Sequence, residues 1–364
     1  MIRRLLVVPE PGRVEWVDDE LADVPDGGLL LRTVATGLSA GTELTFVKGD
    51  HPAVRAVLDP ELGLFRPVAA AGLYPVRRLG YMEVATVETT RTAAFAEGDL
   101  VAAAYGHASA HVADPLRENV VRLPSDVDPV LATYVAHLGP ICANGLLHAA
   151  ADAVGGPVSS LSQGVEGRRV LVTGAGLIGL LVALLAVEHG AAEVVVADSD
   201  ARRRAVATAL GLGTIDTEDA DAEPALVLKT RWRHGAGDHG ADVVFQCRGR
   251  PAALATALRA VRPQGTVVDL AFYTEGADAV MLGEEFHHNG LSLRSAQIGR
   301  VPRGLAATWD RARLSHETLR LLQRRGSAIR KHLVTDVVPW DEAPQLMLDV
   351  AARRRHVISA VFRA

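Results

Sequence analysis

Hydrophobic and polar positions change places in short runs through the first part of the chain. Leu5–Val8, Gly28–Thr36, Tyr81–Glu88, Leu100–Tyr105 and Asn119–Leu123 are β-rich, and most are separated by Gly, Pro or Asp. They predict a compact, mostly-β domain. The run 128–154 predicts one helix, and the small-residue stretch 155–164 a hinge or local insertion. From Arg169 the pattern becomes strand–helix alternation: 170–174, 177–190, 193–198 and 201–211, then 241–247, 253–261 and 265–273. That alternation predicts an α/β fold with a doubly wound parallel sheet. After about Gly299 it fades into two helical stretches and a last strand, 356–362, a tail expected to return to the first domain.

The sharpest motif lies at the first strand–helix turn. Gly174-Ala175-Gly176-Leu177-Ile178-Gly179 follows the apolar strand and opens an apolar helix. Gly174 permits the tight turn, Gly176 lets backbone approach a pyrophosphate, and Gly179 lets helix and strand pack closely. Phosphates would sit at the helix N-terminus, where free N–H groups and the dipole favour an anion. The second strand ends in Asp198, 19 residues past Gly179, the place for a carboxylate on the adenosine ribose. Such a carboxylate repels a 2′-phosphate, so NAD is expected rather than NADP; Arg202, Arg203 and Arg204 blur that choice. Ser199 and Arg203 join the expected cofactor site. So do the strand-end residues Cys247, Arg248, Ala271 and Phe272, with Gln297, since ligands bind at the carboxyl edge of open α/β sheets.

Composition narrows the field. The chain has 364 residues, 49% of them hydrophobic, and a formal net charge of −5, enough for two cores. With no basic block, nucleic acid is not an expected partner. The first residues are too soon polar for a signal peptide, and the longest apolar stretch, near Leu177–Val187, reads as a buried helix rather than a membrane span. The two cysteines, Cys142 and Cys247, cannot build a multi-cysteine zinc site or a disulfide framework. A cytoplasmic protein is expected.

The chain as a whole resembles the medium-chain dehydrogenase/reductase, alcohol dehydrogenase-like superfamily. Gly37-Leu38-Ser39-Ala40-Gly41-Thr42-Glu43 resembles its first active-site loop, and the 74–80 stretch resembles the segment before its glycine-histidine-glutamate motif. Gly98–Val101 and Gly265 match family turns, and Gly174–Gly179 with Asp198 match the cofactor fingerprint. The resemblance implies a GroES-like mostly-β catalytic domain, 1–143 with 300–364, and a Rossmann domain, 144–299. It implies an active site in the cleft between domains, a small-molecule substrate and a homodimer. It also exposes departures. Ala40 stands where zinc enzymes carry a cysteine, and a shift of one residue would bring only Ser39. Tyr81 and Met82 replace the histidine and glutamate, and Gly139-Pro140 lie where a third ligand belongs. Such a set cannot make a tetrahedral zinc site, so no catalytic zinc and no metal site are expected.

Without zinc, a side chain or ordered water must manage the alcohol proton. Tyr81 is the first candidate, though it could merely fill the lost metal's space. Thr42 matches the family hydroxyl that touches the substrate oxygen. Glu43 matches a family acid, as general base or internal hydrogen-bond partner. His107 and His137 are rivals suited to proton transfer. The leading expectation is NAD(H)-linked interconversion of a secondary alcohol and a ketone on a sugar-like, cyclitol or biosynthetic substrate. A zinc-independent enone or quinone reductase and a non-catalytic dinucleotide-binding protein are the alternatives.

Overall fold

The computed structural model describes residues 1–68, 72–219 and 223–364. By contacts the chain divides into two units, Met1–Leu138 with Val334–Ala364, and Gly139–Leu333.

The first unit is built on a seven-stranded sheet. Leu29–Leu38 is its spine, pairing antiparallel with Glu83–Thr90, Ala110–Ala113 and Ser359–Arg363. Val334–Pro339 adds to Ser359–Arg363 in parallel, and Leu100–Ala103 and Val120–Arg122 extend the other side. Eight of the ten spine residues are buried. On one side, helices Ala40–Lys48 and Ala343–Ala351 share a core of Leu44, Val47, Leu346 and Met347 with Leu38 and Phe362. The hairpin Ala56–Asp59/Leu64–Pro67 was not legible as a strand pair; its residues are largely exposed, so no alternation marks a buried face.

Two expectations on this unit need correction. The Gly37–Glu43 stretch is not wholly loop: a helix starts at Ala40, with Ser39 as its N-cap residue. The single helix over 128–154 is two, Pro129–Ala132 and Leu138–Val154. Pro140 has no N–H for the Ala136 carbonyl four residues back, and Asn119 Nδ2 donates to that carbonyl instead, at 2.7 Å. His137 therefore lies in the break and not on a helical face.

The second unit carries six parallel strands in the order Gly213–Asp216, Glu193–Asp198, Arg169–Thr173, Ala241–Gln246, Val261–Asp269, Ser292–Ser295. Numbered along the chain, that is 3-2-1-4-5-6, the doubly wound Rossmann order. Helix Leu177–Glu188 is apolar on every side and almost wholly buried, as a central helix must be. Helix Pro251–Ala260 packs Leu254, Ala257 and Leu258 onto Leu171 and Val244. The long amphipathic helix Arg311–His332 also belongs to this unit. Among the described residues no helix is long and apolar enough to cross a membrane.

Candidate functional site

Two groups of side chains carry chemistry, one in each unit. In the second unit the glycine turn joins the first strand of the sheet to its helix. Gly174 has φ +103°, a conformation that favours glycine. A Cβ on Gly179 would stand 1.8 Å from the Gly174 carbonyl oxygen, so close packing alone demands glycine there. Gly176 differs. Its φ is −83° and a Cβ would meet only Arg203 Nη1, at 3.7 Å. The protein itself does not need a glycine at 176; a ligand that must touch the backbone does. The helix has no side-chain cap, so its first N–H groups at Leu177 and Ile178 remain available to an anion. Arg203, on helix Ala201–Ala209, has a buried Nε without a partner. Arg202 is paired with Asp200 and Arg204 with Asp216. Among the described residues Arg203 Nε has no partner, and such a group beside an uncapped helix start fits a dinucleotide pyrophosphate.

Asp198 closes the turn from the second strand and is 2% exposed. Its Oδ2 accepts from Ala175 N and its Oδ1 from Asp200 N, both at 2.8 Å. The carboxylate thus braces the glycine turn as well as ending the strand. Arg248 Nη1 donates to Ser199 Oγ at 3.2 Å and lies 3.9 Å from Asp198 Oδ1. Behind the turn sits a residue that sequence reasoning missed, Gln246. Fully buried, it accepts from Thr173 Oγ1 at 2.5 Å and donates to Arg248 O and Tyr273 Oη. Its signal was a polar residue ending an otherwise apolar strand. Tyr273 in turn donates to Asp269 at 2.9 Å, and burial pushes both groups' pKa up. Ala271 N donates to Asp269 Oδ1, and Phe272 is partly exposed. Gln297 Oε1 accepts from Gly299 N at 2.6 Å, tying off its own loop. Burial holds the Cys247 thiol protonated, its pKa well above the ordinary value, which removes it as a nucleophile.

In the first unit the centre is Ser39. An N-cap serine ordinarily turns its hydroxyl onto the helix N–H groups. Here the hydroxyl makes no cap bond and instead pairs with Tyr81 Oη in a short hydrogen bond. The His137 ring lies 4.4 Å from the Tyr81 ring, centroid to centroid. Ser39 N donates to Glu43 Oε1 at 2.7 Å, and Glu43 Oε2 meets His107 Nε2 at 2.8 Å. His107 Nδ1 meets Thr36 Oγ1 at 2.7 Å, and His107 is 1% exposed. Backbone pairing fixes it: His107 N donates to Leu79 O, and Leu6 N to His107 O. Both ring nitrogens and both Glu43 oxygens are therefore engaged inside the protein. Thr42 lies on the same first helical turn and gives its carbonyl to Thr45 Oγ1, at 2.5 Å. The structure so brings together Tyr81 with His137, and Glu43 with His107, and makes Ser39 the link between the pairs. Ser39 was visible in sequence only as a poor zinc ligand.

The donor set does not suit a catalytic zinc. Ser39 and Tyr81 hydroxyls are poor ligands, Glu43 and His107 are bonded to each other, and Ala40 offers nothing. Among the described residues no group of three or more His, Cys, Asp or Glu is placed to hold a metal ion.

The strand order and glycine turn define a dinucleotide-binding type of fold, and several known proteins resemble the chain. Residues 178–312 match the family model described as zinc-binding dehydrogenase. D-guloside 3-dehydrogenase of Escherichia coli K12 is 31% identical over 180 residues, 48% of this chain and 49% of its own length. The chain spans about half the length, or less, of the curated relatives it matches. Galactitol-1-phosphate dehydrogenase of Escherichia coli superposes with a TM-score of 0.76 at 17% identity, covering 99% of this chain and 100% of that one. A Sinorhizobium meliloti 1021 protein crystallised with NADP, described as a zinc-binding dehydrogenase, gives 0.72 at 17%, with both chains fully covered. The likeness to these solved structures shows that the chain shares their α/β fold.

Proposed function

We propose that the protein interconverts a secondary alcohol and a ketone on a polar, sugar-like small molecule, using NAD(H) and no catalytic zinc. The observation that carries this is the Ser39–Tyr81 hydroxyl pair, standing where the resemblance would put metal ligands. Support for the substrate class comes from the D-guloside 3-dehydrogenase likeness. Support for the dinucleotide comes from Gly176, the uncapped helix start and Arg203, whose Nε has no partner among the described residues. A homodimer is expected by resemblance, and a cytoplasmic setting from the cysteine usage.

A bound nicotinamide supplies the hydride acceptor or donor. In reduction Tyr81 Oη gives a proton to the ketone oxygen; in oxidation it takes the alcohol proton. Ser39 Oγ fixes the phenol's orientation, and His137 packs beside the ring. Thr42 steadies the substrate oxygen. His107 and Glu43 are positioning residues in this reading: with every polar side-chain atom engaged, they hold the Ser39 backbone and transfer no proton themselves. The donor chemistry of Ser39, Tyr81, Glu43 and His107 supports zinc independence.

Tyr81→Phe tests the proposal. Loss of a general acid–base group costs about 10²–10⁴ in turnover. The variant should lose at least about a hundredfold in kcat on polyol and sugar substrates while NAD+ affinity stays unchanged. Turnover equal to that of the native protein removes Tyr81 from the chemistry.

A further inference from the structure

An acid at the end of the second strand ordinarily takes the ribose hydroxyls and repels a 2′-phosphate. In this protein the carboxylate is not bare. Both Asp198 oxygens already accept backbone N–H groups, and the Arg248 guanidinium lies 3.9 Å from Oδ1. Arg248 reaches this place from a different strand end, that of Ala241–Gln246, two residues on. Its path is confined: its Cβ lies 2.9 Å from where a Cβ on Gly174 would stand, so it lies directly against the glycine turn. Ser199 Oγ then accepts from Nη1 at 3.2 Å and holds the head beside the acid.

The remaining capacity matters. A guanidinium carries five N–H donors, and both contacts use Nη1 alone, leaving Nε and Nη2 without a partner among the described residues. Neighbouring arginines are spent differently. Arg202 is paired with Asp200, Arg204 with Asp216 and the Asp198 carbonyl, and Arg203 stands over Gly176. Arg248 is the cation that is both beside the acid and open, its side chain 37% exposed.

We propose that Arg248 sets the cofactor range of this site: it offsets the Asp198 charge and offers a fork to a 2′-phosphate, so the protein binds NADP(H) as well as NAD(H). This rests on the dinucleotide reading above and goes beyond it. Arginine suits the task because its planar fork matches phosphate oxygens two at a time, which lysine cannot do.

Isothermal titration of the full chain with NAD+, NADP+, 5′-AMP and 2′,5′-ADP tests it, without any turnover. Native protein should bind the two dinucleotides within about tenfold of each other. Arg248→Ala should weaken NADP+ and 2′,5′-ADP by about tenfold or more, the scale of one charge-assisted contact, and leave NAD+ and 5′-AMP within a few-fold. Arg248→Lys should fall between. A thermal melt of each variant is the control for folding. If Arg248→Ala leaves the NADP+/NAD+ ratio unchanged while NAD+ still binds, the proposal is overturned and the function above survives. If native protein binds neither dinucleotide, both fall.

Discussion

Gly176 and Gly179, three residues apart, give the sharpest test, because the structure assigns them different reasons to be glycine. At Gly176 the backbone is extended, and an added methyl meets nothing closer than Arg203 Nη1 at 3.7 Å. Gly→Ala at a compatible position stabilises by about 0.4–1 kcal/mol through the unfolded chain. Loss of the N-cap preference costs a comparable few tenths to about 1 kcal/mol. The two offset, so Gly176→Ala should melt within a few degrees of native protein. At Gly179 the same methyl would lie 1.8 Å from Gly174 O. Something must move by more than an ångström, an overpacking that costs about 1–3 kcal/mol or more, and at this size several degrees in Tm. The assay is a thermal melt paired with NAD+ titration. Gly179→Ala should lose stability and binding together. Gly176→Ala should keep its melt and lose about tenfold or more in NAD+ affinity, about 1.4 kcal/mol, because the methyl blocks the close approach of phosphate to the backbone. A Gly176→Ala protein that binds NAD+ like the native one would refute the assignment of this turn.

Two further outcomes are expected. His111 is buried between Glu118 Oε2 at 2.9 Å and Glu83 Oε2 at 3.1 Å, with Tyr105 stacked on it. Burial alone would lower its pKa, but hydrogen bonds to Glu118 and Glu83 outweigh it and raise the value to about 8. The folded value exceeds the unfolded one of about 6.5, so this contribution, about 2 kcal/mol, is complete below pH 6.5 and is lost as pH rises through 8. Denaturant melts across pH 6–9 should show that fall in native protein and its absence in His111→Gln; parallel curves would sink the account. Exhaustive dialysis against a chelator should leave turnover intact, and activity that vanishes and returns only with zinc would end the metal-free reading.

Much of the second unit was legible in the sequence because its signals are local. A glycine's spacing, an apolar strand and an acid at the next strand end are set by short-range backbone geometry, and they gave the parallel sheet and its turn. The catalytic residues were legible only as types. No pattern in Gly37–Glu43 says that Ser39 gives up its capping role, because that depends on Tyr81, 42 residues away. His137 leaves its helix because Asn119 takes the carbonyl that Pro140 cannot serve. Asp198 reads as a bare acid until Arg248, fifty residues later, is folded against it. In each case the deciding contact joins segments distant along the chain, and its energy exists only once the sheet has brought them together. Sequence determined which groups were present and which local turns they could form; tertiary packing decided which of them remained free to act.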